Sequence, residues 1–219
     1  LASALKRLGL FGGTFDPIHY GHLRSAEEVC QGLSLDRLKF IPAAEPPHKA
    51  GRVITPFAMR LKMARLALGD HPVMEVSDLE GRRPGRSYSI ETLRLVQREM
   101  GPDWELYFIV GLDAAMEIAT WKDYQGLFTL SHFVVLDRPG YHRQRLAEVL
   151  LNKVQPPFRP LDGQRGFQHP SGHQVLFQET TLLDISGTAI RNLVRQGRSV
   201  RYLLPEAVRK YIIDYKLYL

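Results

Sequence analysis

Cysteine is nearly missing from this chain. Cys30 stands alone, which excludes an internal disulfide framework and suits a reducing, cytoplasmic setting. Apolar runs are short, none near the ~20 residues that a membrane span needs, and no signal-peptide pattern is found. No membrane partner is expected. The early glycines stand at 9, 12, 13 and 21, so they make no G-x-G-x-x-G array, and no Gly-Lys-Ser/Thr follows them. A dehydrogenase fingerprint and a Walker A loop are both lacking, as is the H-E-x-x-H spacing of a zinc protease. Long basic runs are absent too. The formal charge of +6 is scattered, so no nucleic-acid partner is expected. A solvated surface accounts for most of that charge, and small phosphorylated ligands explain the rest.

What is present is ordinary in bulk. The 219 residues, 44% apolar and 24% charged, suffice for one substantial core in a soluble globular protein. Short apolar runs alternate with helical stretches, which predicts an α/β fold, a Rossmann-like doubly wound and mainly parallel sheet. Strands are expected near 5–11, 37–41, 73–76, 104–110, 132–136 and 174–178. Helices are expected near 22–32, 56–69, 88–100, 142–152, 187–196 and 205–215. Thr55 reads as an N-cap with Pro56 at the first helical position, and Leu204-Pro205 repeats the proline signal. The Pro- and Gly-rich stretch 155–173 reads as a long surface loop within a single domain spanning 1–219, because too little chain follows it for a second one.

The stretch "GLFGGTFDPIHYGHL", residues 9 to 23, carries the first chemical signal. Leu8 to Phe11 ends a buried strand, and Gly12 and Gly13 are expected to turn the backbone or admit another molecule to it. His19 and His22 fall just before and within the first turn of the next helix, three apart and on one face. Unpaired N–H groups and the positive end of the helix dipole collect there, which makes an anion site. With Asp16 the histidines also form a sparse metal trio, but it lacks a companion cluster, and no metal ligand is assigned.

A second signal is "DISGTAIRNLV", residues 184 to 194. Ser186 is placed to cap a helix, Thr188 adds a hydroxyl in its first turn, and Arg191 follows one turn later. Hydroxyls, open N–H groups and a guanidinium at a helix start make a second phosphate site. Taken alone, each stretch also fits a plain capped surface helix.

Together they resemble the H-x-G-H nucleotidylyltransferase superfamily. "GGTFDPIHYGHL" has the G-G-[ST]-F-D-P-x-H-x-G-H form found in bacterial nicotinate mononucleotide adenylyltransferases, and the superfamily pairs it with an I-S-S-T-x-I-R element. Here Gly187 replaces the middle serine. The resemblance implies catalytic roles for His19, His22 and Arg191. It implies ATP contacts from Gly12, Gly13, Thr14, Phe15, Asp113, Ile185, Ser186 and Thr188. For the mononucleotide it implies Lys49 in "PPHK", Ser89 in "SYS" and Trp121 in "ATWKDY". Arg138 in "DRPGY" falls near ATP on the same resemblance.

The reaction implied is adenylyl transfer from ATP to nicotinate mononucleotide, giving deamido-NAD and pyrophosphate, with Mg²⁺ carried by the ATP phosphates. A homo-oligomer is compatible with the sequence. Rival readings are another nucleotidylyltransferase, acting on nicotinamide mononucleotide, phosphopantetheine or a cytidine nucleotide, and a non-catalytic nucleotide- or RNA-binding domain.

Overall fold

The structure, a computed structural model, describes residues 5–47, 53–137, 142–155 and 157–219. The first half alternates β1 (Lys6–Gly13), α1 (Tyr20–Leu33), β2 (Arg37–Pro42), α2 (Phe57–Leu68), β3 (Met74–Val76) and α3 (Ser89–Met100). The second half runs from β4 (Trp104–Gly111) through two single turns, α4 (Leu112–Ala115) and α5 (Tyr124–Leu127), to β5 (His132–Leu136). It ends with α6 (Arg143–Asn152), β6 (Arg159–Pro160), β7 (Gly166–Gln168), β8 (Gln174–Gln178), α7 (Gly187–Arg195) and α8 (Glu206–Asp214).

The strands form one sheet in the order β3-β2-β1-β4-β5-β8-β7-β6. It is parallel from β3 to β8 and antiparallel only at β7 and β6. This is the expected doubly wound architecture. Its central strands are unbroken apolar runs because helices cover both faces. On one face Leu10, Phe133 and Val135 pack with Ile90, Leu93 and Val96, a stripe at three-residue spacing on α3. On the other, Phe40, Ile109 and Val134 meet Ala26 and Val29 of α1, Met63 of α2 and Val208 of α8. Strand order reverses between β1 and β4, and chain leaving their carboxyl ends diverges there, which opens a crevice.

Four local expectations are corrected. β1 continues through Gly12 and Gly13, and the left-handed residue that turns the chain is Phe15, at φ 48°. α1 begins at Tyr20, two residues before the expected start, while His19 and His22 fall just before and within its first turn as expected. α2 begins at Phe57 with Pro56 as its cap, and Thr55 uses its carbonyl to accept a bond from Arg60 instead. The stretch 155–173 is not all loop: β6 and β7 extend the sheet, and Phe158 and Phe167 are buried in the core. Proline and glycine at its turns mask strands of two and three residues.

The β7–β8 turn also carries a cluster at the amino end of the sheet. His132 bonds Glu105 at 3.0 Å and accepts the Gln174 N–H at 3.1 Å. The ring of His173 packs edge-on against His132, and the Ser171 hydroxyl lies 2.9 Å from His169 and 3.1 Å from His173. Burial pushes all three histidines below their ordinary pKa.

Candidate active site

The first wall of the crevice is the loop from Gly13 to His22. A Cβ on Gly13 would lie 2.8 Å from the Phe15 ring, so glycine here permits the ring to fold under the loop. That ring is buried and packs edge-on against Phe11 and His22. It fixes the start of α1. The His19 N–H donates to His22 Nδ1 at 3.3 Å, and the two imidazoles stack with centroids 3.7 Å apart. Because Nδ1 of His22 accepts, the neutral ring carries its hydrogen on Nε2. The local backbone has chosen the tautomer.

The second wall is the start of α7. Ser186 caps it as expected, its Oγ accepting the Ala189 N–H at 3.2 Å. Arg191 Nη2 donates to the Thr188 hydroxyl at 3.1 Å, and Nη1 donates to the backbone carbonyl of Asp16 at 2.6 Å. That bond ties the two walls together. Gly187 lies at the seam: a Cβ there would stand 2.8 Å from the Asp16 carbonyl oxygen. The single departure from the I-S-S-T pattern therefore falls where loop and helix touch.

Between the walls lies a cleft of about 700 Å³. Gly12, Gly13, Thr14, Phe15, His19, His22, Ser89, Asp113, Trp121, Ser186, Thr188 and Arg191 all line it. A smaller cleft of about 200 Å³ adjoins it, shared by His19, His22, Asp113 and Ser186 and bounded by residues 180–186, Ile185 among them. Asp113 opens α4 directly after β4, where a strand's carboxyl end delivers it to the crevice. Ser89 is the first residue of α3. Trp121 is half-buried, edge-on to Phe108, so it belongs partly to the core and partly to the cleft wall. Lys49 and Arg138 lie outside the described residues.

Three further side chains support the walls. Arg60 is 1% exposed, and it donates to the carbonyls of Thr55 at 2.8 Å, Thr14 at 2.7 Å and Ala44 at 3.3 Å. Burial lowers its pKa, against the pull of Asp16. Beyond α8, the Tyr218 hydroxyl donates to Asp16 Oδ1 at 2.7 Å. Glu80 accepts the Thr92 hydroxyl at 2.7 Å under the cleft floor. Arg60 had a readable signal, since it shares the buried face of α2 with Met63 and Ala64. Tyr218 had none, because its partner is 202 residues away.

The chemistry on offer is anion handling. Two imidazoles, an arginine and the start of α7 converge on one space. Among the described residues there is no group of three or more His, Cys, Asp or Glu that could hold a metal ion. Nor, among the described residues, is any helix long and apolar enough to cross a membrane.

Comparison with known proteins is consistent in kind. A cytidylyltransferase-like family model matches residues 10–193. The chain is 50% identical over 212 residues to a probable nicotinate-nucleotide adenylyltransferase of Geobacter sp. (strain M21), covering 97% of this chain and 98% of that one. It is 48% identical over 214 residues to the protein so described from Syntrophotalea carbinolica, covering 97% of each. Among solved structures it resembles Plasmodium falciparum nicotinic acid mononucleotide adenylyltransferase complexed with NaAD, with a TM-score of 0.73 over 97% of each chain. At 18% identity that last likeness speaks for the fold.

Proposed function

The chain belongs to the cytidylyltransferase-like family, and from its likeness over nearly its whole length to probable nicotinate-nucleotide adenylyltransferases we propose that it is a nicotinate-nucleotide adenylyltransferase. It joins the AMP moiety of ATP to nicotinate mononucleotide, giving deamido-NAD and pyrophosphate in NAD biosynthesis. The observation that carries this reading is the bond from Arg191 to the Asp16 carbonyl, which makes one phosphate cleft out of two motifs from opposite ends of the chain.

The nucleophile is a phosphate oxygen of the mononucleotide, ionised at neutral pH, so no general base or covalent residue is required. It attacks the α-phosphorus of ATP. One P–O bond forms, and the bond to the β-phosphate oxygen breaks. The protein supplies positioning and charge stabilisation. His22 donates from Nε2 to the α-phosphate, His19 stacks beside it, and the strand end at Gly12 and Gly13 admits the phosphates to the backbone. Arg191, Ser186 and Thr188 hold the departing β- and γ-phosphates. Mg²⁺ bound to the ATP phosphates would screen their charge. Asp113 meets a ribose hydroxyl, and Ile185 borders the smaller cleft on the ATP side. Ser89 and Trp121 face the pyridine, and Lys49 completes the mononucleotide set.

The test is turnover measured as pyrophosphate release. ATP is paired in turn with nicotinate mononucleotide, nicotinamide mononucleotide and phosphopantetheine, and CTP is tried in its place. Deamido-NAD must be the preferred product. Faster turnover of any other pair, or nucleotide binding without turnover, refutes the reading.

A further inference from the structure

Asp16 poses an electrostatic problem. Its carboxylate is 8% exposed, and Oδ2 stands 4.0 Å from Arg191 Nη1, beside the guanidinium that the phosphates need. A carboxylate free to rotate would pair with that arginine in a fork and neutralise it. It is not free to rotate. The Tyr218 hydroxyl holds Oδ1 at 2.7 Å, and the Thr55 N–H reaches Oδ2 at 3.4 Å. The charge of buried Arg60 acts on the carboxylate as well. What Arg191 receives from Asp16 is the backbone carbonyl, at 2.6 Å, a neutral acceptor that orients a guanidinium without cancelling its charge.

We infer that Tyr218 is a positioning residue for adenylyl transfer: its hydroxyl restrains the Asp16 carboxylate so that Arg191 stays available to the β- and γ-phosphates of ATP. Burial and the nearby Asp16 raise the Tyr218 pKa, so the hydroxyl remains a donor throughout the working pH range. The inference rests on the reading of Arg191 as a triphosphate ligand.

Tyr218→Phe keeps the ring and removes the restraining hydrogen bond, together with the hydroxyl's long contact to Met63 Sδ at 4.0 Å. By calorimetric titration, the variant should bind ATP and inorganic pyrophosphate about tenfold more weakly, the scale of one charge-assisted contact. AMP and nicotinate mononucleotide, which lack β- and γ-phosphates, should stay within about twofold. The decisive arm is rescue. Adding Asp16→Asn to Tyr218→Phe takes away the competing charge and should restore ATP and pyrophosphate affinity. A purely structural tyrosine predicts no rescue and weakens all four ligands together. Unchanged ATP affinity in Tyr218→Phe, or a double variant no better than the single, overturns the inference. Should Tyr218→Phe fail to fold, Asp16→Asn alone decides: tighter or equal ATP binding supports the restraint, and weaker binding overturns it. Failure of the parent protein to bind ATP would instead sink the functional reading itself.

Discussion

Arg60→Lys keeps the charge of the buried cation and removes its fork. The three carbonyls that Arg60 reaches come from separate stretches, at Thr14, Ala44 and Thr55. A single ammonium retains about one of those bonds. Hydrogen bonds from a charged donor contribute about 1.5–3 kcal/mol each. The Ala44 contact is long at 3.3 Å, and with both lost bonds counted at the low end they together cost about 3 kcal/mol. For a chain of this size each kcal/mol moves the melting temperature by about 2–4 °C, which gives a fall of roughly 6–12 °C. Circular dichroism melts of parent and variant measure it. A second consequence is kinetic. The Thr14 carbonyl loses its tether, so turnover per folded molecule should drop even well below the melting temperature. A Tm shift of less than about 2 °C would show that the carbonyls find other donors, and that Arg60 is not the tie between these segments.

His22→Ala should leave the fold intact, with a modest fall in the melt from the lost cap and ring packing, and lower kcat by about 10²–10³, the loss expected when one preorganised donor is removed; near-normal turnover would take His22 out of the mechanism. Trp121→Ala should weaken nicotinate mononucleotide by about 1–3 kcal/mol if it stacks on the pyridine, with ATP binding hardly altered in a parallel titration. A variant that instead loses its fold would assign Trp121 to the core beside Phe108. The histidine cluster predicts acid sensitivity. His173 has a folded pKa below its ordinary value of 6.5 because of burial, so between the two values the unfolded chain binds more protons. Stability is therefore full above about 6.5 and is lost as pH falls toward the folded pKa. Urea midpoints at about pH 7.5 and about pH 5.5 should differ less for His173→Gln than for the parent, and an equal difference would refute the assignment.

The parts of this molecule that read clearly from sequence are those governed by local pattern. The apolar runs of β1, β4 and β5 announce strands covered on both faces, and the I-S-G-T-A-I-R stretch announces a capped helix whose Ser186 does accept the expected bond. The parts that did not read depend on pairing between distant segments. β6 and β7 exist because β8 offers an edge, which composition at 155–173 conceals. The turn near the first motif falls on Phe15 rather than on the glycines, because the ring gains a buried pocket between Phe11 and His22. Thr55 looks like a cap, yet tertiary bonds to Arg60 and Asp16 claim its backbone. Within the cleft, residue identities were legible but their mutual support was not.

The bond joining Arg191 to the Asp16 carbonyl spans 175 positions of chain. During synthesis at about 5–20 residues per second, the loop bearing His19 and His22 leaves the ribosome roughly 9–35 s before its arginine partner exists. β1 itself lacks its neighbour β4 for the first half of that interval. A nascent chain thus carries one wall of the cleft, with the Asp16 carboxylate and the histidines exposed to water and no guanidinium opposite them. Premature termination anywhere before α7 would leave the Asp16 carbonyl without the guanidinium that joins the two walls of the cleft.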